Sequence, residues 1–461
     1  MEKTRGAREL ELAPVGRLLW KFSLPAIAGM LVNALYNVVD RIFVGRGVGP
    51  LAIAATTVAF PLMMVLMALT MLVGMGATAL ISIRLGERKK EEAEVVAGNA
   101  LTLLVLVALS ASAVGLAFLR PLLSSFGALE NVLPYALEYT RIILLGNVLM
   151  SVGFGLSSMI RGEGQPFLAM VINIVGALSN IILDYVTVFS LGMGIKGAAL
   201  ATVVSQGISA AWAMYYYVSG RSVVRLSVRN LVLRRSACLK IFSVGFPHLA
   251  LQLVHSLQQV IFNRGLSHYG GDLAIAAVGV VFSLGTFMFM PVMGISQAAQ
   301  PIIGFNYGAR RMDRVKEALK LASFWATVII GVGYTVTRIW PEELVALFGR
   351  QDPQLISLAV EAMRILFFVL PLIGFQIVGS GYFQATGKPL QGTLLTLSRQ
   401  VLLLIPLLLV LPRFWGLHGV WWSLPVSDLG STLLTAAFLY YDFRSEAANS
   451  RNIPALSKEG S

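Results

Sequence analysis

The apolar residues of this 461-residue chain gather into runs of about 20 residues or more, in two sets of six related by a nearly constant offset. A run of that length crosses a hydrocarbon core of roughly 30 Å as a helix. A membrane barrel would instead show alternating strands of about ten residues. Because lipid offers the backbone no hydrogen-bond partners, these runs predict an all-α integral membrane protein. They lie near residues 20–44, 52–83, 95–118, 136–159, 167–190 and 198–218, then near 241–265, 274–304, 319–340, 356–384, 390–412 and 420–441. With 13% charged residues, 56% hydrophobic residues and a mean hydropathy of +0.76, an ordinary soluble domain is excluded.

The offset is visible residue by residue. Leu51, Ala52, Ile53, Ala54 and Ala55 recur as Leu273, Ala274, Ile275, Ala276 and Ala277, 222 positions later. The same shift carries Pro25 to Pro247, Phe60 to Phe282, Gly86 to Gly308 and Gly194 to Gly416, and a shift of 223 carries Glu138 and Arg141 to Glu361 and Arg364. The chain is thus a duplication, as in transporters built from two parallel repeats. Its expected divisions are a first six-helix lobe over residues 1–218, a linker over 219–240, a second lobe over 241–443 and a tail over 444–461. The copies differ in one chemical respect: Asp40, Asn180 and Asp184 fall on Phe262, Leu402 and Pro406.

An even number of spans places both termini on one side, the side expected to carry the Lys and Arg excess. The amino terminus, the loop with Arg84, Arg88, Lys89 and Lys90, the central linker and the loop with Arg310, Arg311 and Arg314 all fall there. That side is expected to be cytoplasmic in a multi-pass cell-membrane protein. The net charge of +13 then reads as orientation signal and contact with anionic membrane lipid rather than nucleic-acid binding. No cleavable signal peptide is expected, since the first apolar run is full length. The single Cys238 and four scattered histidines offer no metal-ligand spacing. No phosphate-binding glycine loop ends in Lys-Ser or Lys-Thr, and no connecting loop is long enough to hold a catalytic domain. An enzyme is not expected, and energy would come from an ion gradient or from the substrate's own gradient.

Polar residues inside the spans carry the chemistry, because each is costly in lipid unless it meets water, an ion or a partner. In the first span Asn33, Tyr36, Asn37 and Asp40 share one helical face at i, i+3, i+4, i+7. The fifth span carries Asn173, Asn180 and Asp184, and the sixth carries Thr202, Ser205, Gln206 and Ser209. Two carboxylates with an amide and a hydroxyl form a hard-oxygen set suited to Na⁺. They suit a proton equally, because two acids in a low-dielectric site repel each other when ionised. In the seventh span Gln252, His255, Ser256, Gln259 and Asn263 form a polar stripe expected to line a cavity, together with Asn33, Asn37 and Gln206. Arg399 and Asp428 lie at similar depths in adjacent spans and are expected to pair. Glu138 with Arg141, and Glu361 with Arg364, read as i, i+3 surface pairs. Met63, Met64, Met67, Met71 and Met75, with Met288, Met290 and Met293, offer an adaptable apolar wall.

The stretch from Leu24, Pro25 and Ala26 through Asn33-Ala34-Leu35-Tyr36-Asn37 to Asp40-Arg41-Ile42-Phe43-Val44-Gly45, the loop Arg161-Gly162-Glu163-Gly164-Gln165-Pro166, and Gly194-Ile195-Lys196-Gly197 resemble the multidrug and toxic compound extrusion (MATE) transporters. The resemblance covers essentially the whole chain and is nearest to the DinF-like branch and its MepA-like members. It implies a V-shaped fold of twelve helices in two six-helix lobes, and exchange of organic, mostly cationic compounds for H⁺ or Na⁺. It also implies an ion site at Asp40 and Asp184, joined by Asn180, Thr202 and Tyr36, and a bend of the first helix at Pro25. A monomer, with no cofactor besides the coupling ion, is the matching expectation. Ser157 stands where some archaeal members have an Asn. The acids that the other main branch carries in its seventh and tenth spans are here replaced by His255, Gln259 and Gln376. A flippase for a lipid-linked precursor and a ligand-sensing membrane receptor are the alternative readings.

Overall fold

Inside lipid each backbone N–H and C=O must be satisfied within its own segment, and the apolar runs accordingly form helices. The computed structural model describes residues 5–48, 50–126, 130–346 and 353–451. A short helix α1 (Arg5–Leu12) precedes the first repeat, which comprises α2 (Val15–Gly47), α3 (Pro50–Gly86), α4 (Lys90–Ala117), α5 (Leu119–Ser125), α6 (Leu133–Gly162), α7 (Pro166–Asp184) and α8 (Gly194–Val218). The second repeat comprises α9 (Arg235–Gly308), α10 (Met312–Ile339), α11 (Pro341–Ala346), α12 (Pro353–Leu366), α13 (Leu370–Ala385), α14 (Pro389–Leu397) and α15 (Ile405–Arg451).

Two of these helices are too long for one crossing. The 74 residues of α9 would extend ~110 Å at 1.5 Å per residue, and the backbone reverses at Gly271 (φ 65°, ψ −166°). The apolar stretch Leu390–Ser445 is likewise divided at Gly416 (φ 54°, ψ −130°). Ten described helices are long and apolar enough to span. The bent pair α12 and α13 makes eleven, and division at Gly416 makes twelve. The expected single tenth span is thus two helices at 50° to each other. Pro371, in the first turn of α13, accounts for the break, because it has no N–H to carry the helical ladder back to the Phe367 carbonyl.

The duplication is repeated in backbone geometry. Positive φ occurs at Arg88 (60°) and Arg310 (56°), at Gly164 (92°) and Gly387 (69°), and at Gly194 (60°) and Gly416 (54°). These are pairs related by the same offset of 222 or 223 residues.

The repeats meet through α3 and α9. At their ends nearest the basic loops the approach is so close that a Cβ on Gly86 would overlap the Phe305 carbonyl, and one on Gly308 would overlap the Ile83 carbonyl. Because Ile83 and Phe305 are also 222 apart, this is one contact repeated across the internal pseudo-symmetry. Helix α1 lies over the same end. Glu11 accepts from Arg88 at 3.0 Å and its carbonyl from Arg311 at 2.8 Å, while Arg314 donates to the Leu10 and Ala13 carbonyls at 3.1 and 2.6 Å.

The surface pairs differ from expectation. Glu138 meets Lys196 at 2.8 Å and Glu361 meets His418 at 2.8 Å, again equivalent contacts, while Arg364 offers its carbonyl to Arg338. The neighbouring span presents a nitrogen within hydrogen-bond distance of each carboxylate, Lys196 Nζ for Glu138 and His418 Nε2 for Glu361.

Candidate functional site

Helix α7 ends at Asp184 and passes directly into a π-helical turn, Tyr185–Ser190. Such turns shift the register of later side chains and recur at functional sites. Asp184 is fully buried, as is Asn180 one turn earlier. From α8, Thr202 Oγ1 accepts from Asn180 Nδ2 at 3.4 Å and donates to the Ala198 carbonyl at 3.0 Å. Asn180 Oδ1 is buried with no hydrogen-bond partner among the described residues. Asn180 and Thr202 thus meet between α7 and α8, and Asp184 lies one turn beyond Asn180 at the end of α7. The side chains of Asn33, Tyr36, Asn37, Asp40 and Gln259 lie outside the described residues. The helix bearing the first four, α2, packs against both α7 and α9.

A separate cavity of about 740 Å³ lies between the repeats. From the first repeat it is lined by Pro25, Met30, Met67, Met71, Phe154, Arg161 and Asn173, and from the second by His255, Phe282, Phe289, Met290, Arg399 and Asp428, among others. Half of the methionines singled out in the sequence face it: Met67, Met71, Met290 and Met293. His255 and Pro25 are in the lining, whereas Gln206 and Gln252 are not among the lining residues, Gln252 donating to Met64 Sδ at 3.0 Å. Asp184, Asn180 and Thr202 are also absent from the lining, so the polar cluster and the cavity are distinct, with α2 in contact with the surroundings of both.

Arg399 Nε donates to Asp428 Oδ1 at 2.6 Å on the cavity wall, at the start of a second π-helical segment, Ser398–Leu404. Asp428 is almost fully buried. Removing one partner of such a pair leaves an uncompensated charge and costs about 3–5 kcal/mol. Asp428→Asn should therefore lower expression and thermal stability, and the exchange Arg399→Asp with Asp428→Arg should recover much of the loss. An exchange variant no better than either single one would show that the contact contributes no pairing energy.

Sequence reasoning gave no role to two groups at the end of α6 and just after it, Arg161 and Glu163. Arg161 lines the cavity. Glu163 is fully buried. Its Oε2 accepts from Ser222 Oγ at 2.6 Å, from the Val223 amide at 3.1 Å and from Tyr216 OH at 3.5 Å, clamping the start of the linker between the repeats. A glutamate inside a glycine-rich turn between two spans was the available signal. Burial pushes the Glu163 carboxyl up to about 7, against the opposing pull of the Ser222 hydroxyl and the linker amides. An acid whose folded-state value exceeds its unfolded one contributes stability fully present below about 4.5 and lost as pH rises through about 7. The full change is at most about 3 kcal/mol. Melting temperature in detergent should fall between pH 5 and pH 8, and Glu163→Gln should flatten that slope; an unchanged slope in the variant would show that other groups set it.

A family model described as MatE matches residues 25–186 and 247–410, within each of the two repeats. The multidrug export protein MepA of Staphylococcus haemolyticus is 28% identical over 434 residues, covering 94% of this chain and 95% of that protein. Among solved structures, the MATE multidrug transporter DinF-BH is 41% identical with a TM-score of 0.85, covering 94% of this chain and 96% of that one. A MATE crystal structure in the bent conformation has a TM-score of 0.92 at 26% identity, covering 98% and 100%.

Proposed function

Because this chain belongs to the multidrug and toxic compound extrusion family and is a multi-pass membrane protein of the multidrug-efflux transporter class, we propose that it exports organic, mostly cationic compounds in exchange for H⁺ or Na⁺ by alternating access. The observation that carries the reading is the separation of the buried Asp184 and Asn180, with Thr202 beside Asn180, in the first repeat from an apolar cavity between the repeats, with α2 packed against the helices of both.

Asp40 and Tyr36 on α2 would complete the ion site with Asp184, Asn180 and Thr202. Binding of a cation or proton there changes the charge beside α2, and the helix carries Pro25 at the cavity wall. A proline removes one helix hydrogen bond, so Pro25 is the place where α2 would bend. A bend that narrows the cavity when the ion site is loaded gives ion and substrate opposite preferences for the two states, which is what coupling requires. Aromatic faces and polarisable sulfurs would hold organic cations of varied shape. The basic loops and both termini would lie in the cytoplasm, the chain acting as a monomer in the cell membrane with no enzymatic step.

The test is efflux of a fluorescent lipophilic cation from liposomes holding the purified protein, under an imposed pH gradient or an imposed Na⁺ gradient. Transport under one gradient alone identifies the coupling ion. Absence of transport under both would overturn the reading.

A further inference from the structure

Of the basic groups lining the cavity, Arg399 is answered by Asp428 at 2.6 Å. Arg161 is not answered. Its guanidinium donates to Ser158 Oγ at 2.8 Å, and among the described residues no carboxylate lies within ion-pair distance of it. Glu163, two residues on, is committed to Ser222 and the linker. A guanidinium has five N–H donors. Here one bond to a hydroxyl is made in the last turn of α6, and Phe154, Met170 and Met67 line the same cavity.

A half-buried cation without a carboxylate partner keeps unused donors, and an anion that accepts two parallel hydrogen bonds from the guanidinium fork fills them. The chemistry of the walls adds a second requirement, an apolar body to cover the methionine and phenylalanine faces. We propose that Arg161 is an anion subsite of this cavity, taking the carboxylate, sulfonate or phosphate of an amphipathic ligand whose apolar part lies against Phe154, Met67, Met170 and Phe289. The substrate class is thereby extended from organic cations to amphiphiles that carry an oxyacid. This inference rests on the reading of the cavity as the ligand site.

Equilibrium binding to the purified protein in a nonionic detergent tests it, using three fluorescent probes: dansylamino-undecanoic acid, its neutral carboxamide, and a cationic rhodamine ester. The acid should bind about tenfold or more tighter than the carboxamide. Arg161→Gln should erase that difference while leaving the carboxamide unchanged and the rhodamine bound at least as tightly, and Arg161→Lys should keep part of it, since a point charge lacks the fork. Competition names the source of the acid: Arg161-dependent displacement by lysophosphatidic acid identifies a lipid headgroup, and displacement by naphthalenesulfonate identifies a soluble acid. Displacement by neither overturns the proposal, as does equal binding of acid and carboxamide while rhodamine still binds. If none of the three probes binds, the cavity reading itself has failed and the subsite falls with it. Arg161→Gln should melt no lower than the wild type, because it removes an uncompensated charge; a lowered melting temperature would assign Arg161 a structural role and overturn the proposal.

Discussion

Asp184→Asn should reduce gradient-driven efflux to the level of empty liposomes while the protein still folds. The substitution keeps the shape of the side chain and removes its ability to ionise. Asp184 is fully buried at the junction of α7 and a π-helical turn, so a carboxylate there is maintained against a desolvation cost of several kcal/mol. An amide has no such cost, and thermal stability in detergent should hold or rise. Transport behaves oppositely, since without a titrating or cation-binding group the driving ion has no differential affinity for the two states. Thr202→Ala and Asn180→Ala each remove one neutral oxygen, worth about 1 kcal/mol, and should slow efflux several-fold rather than abolish it. The measurement is efflux in proteoliposomes beside a melting curve for each variant. Wild-type efflux by Asp184→Asn would remove this residue from the coupling site, and lost efflux accompanied by a collapsed melting temperature would reassign it to folding.

Gly308→Val and Gly86→Val should each lower transport at least tenfold by opposing closure of the repeats at the basic end. A side chain at either position would overlap a backbone carbonyl of the other repeat, Ile83 for Gly308 and Phe305 for Gly86. A carbonyl in a membrane helix cannot rotate aside without losing its own hydrogen bond, so the helices must separate. The approach is made by the same pair of positions twice, which predicts non-additivity: the double variant should be little worse than either single one, because the first substitution has already broken the contact. A cysteine at Met71 on the cavity wall, in a Cys238→Ser background, provides the second readout. A membrane-impermeant maleimide added on the basic side should label it faster in Gly308→Val than in the parent. Transport within twofold of wild type, with unchanged labelling, would show that this contact does not limit closure.

Much of this was legible in the residues alone, for a common reason. The number and type of spans, the repeat and the isolation of Asp184 and Asn180 in the first copy all depend on local periodicity or on comparing the chain with itself. Lipid makes that reading strong, because an apolar run of sufficient length has few alternatives to a helix. The depth argument that placed Arg399 beside Asp428 is of the same kind: two charges in adjacent spans at one level have few other partners.

What the residues left undetermined depends on which spans become neighbours. Glu138 was assigned to Arg141 on its own helix, yet Lys196 is its partner, brought there by the packing of α8 against α6. Arg161 stands in a motif at the end of α6, and only the packing of the spans shows that it lines the cavity. Glu163 stands in the same motif, and its partners Ser222 and Val223 belong to the linker, about 60 residues away. Gly86 and Gly308 were visible as a repeated pair, but the carbonyls that require their missing side chains belong to the opposite repeat. Sequence by itself therefore determined the membrane class, the duplication and the spans, because those follow from the free energy of placing each residue in lipid or water. Only the tertiary structure decided which charges are paired, which is left open to a ligand and where the repeats touch, because those depend on distances between segments that periodicity does not encode.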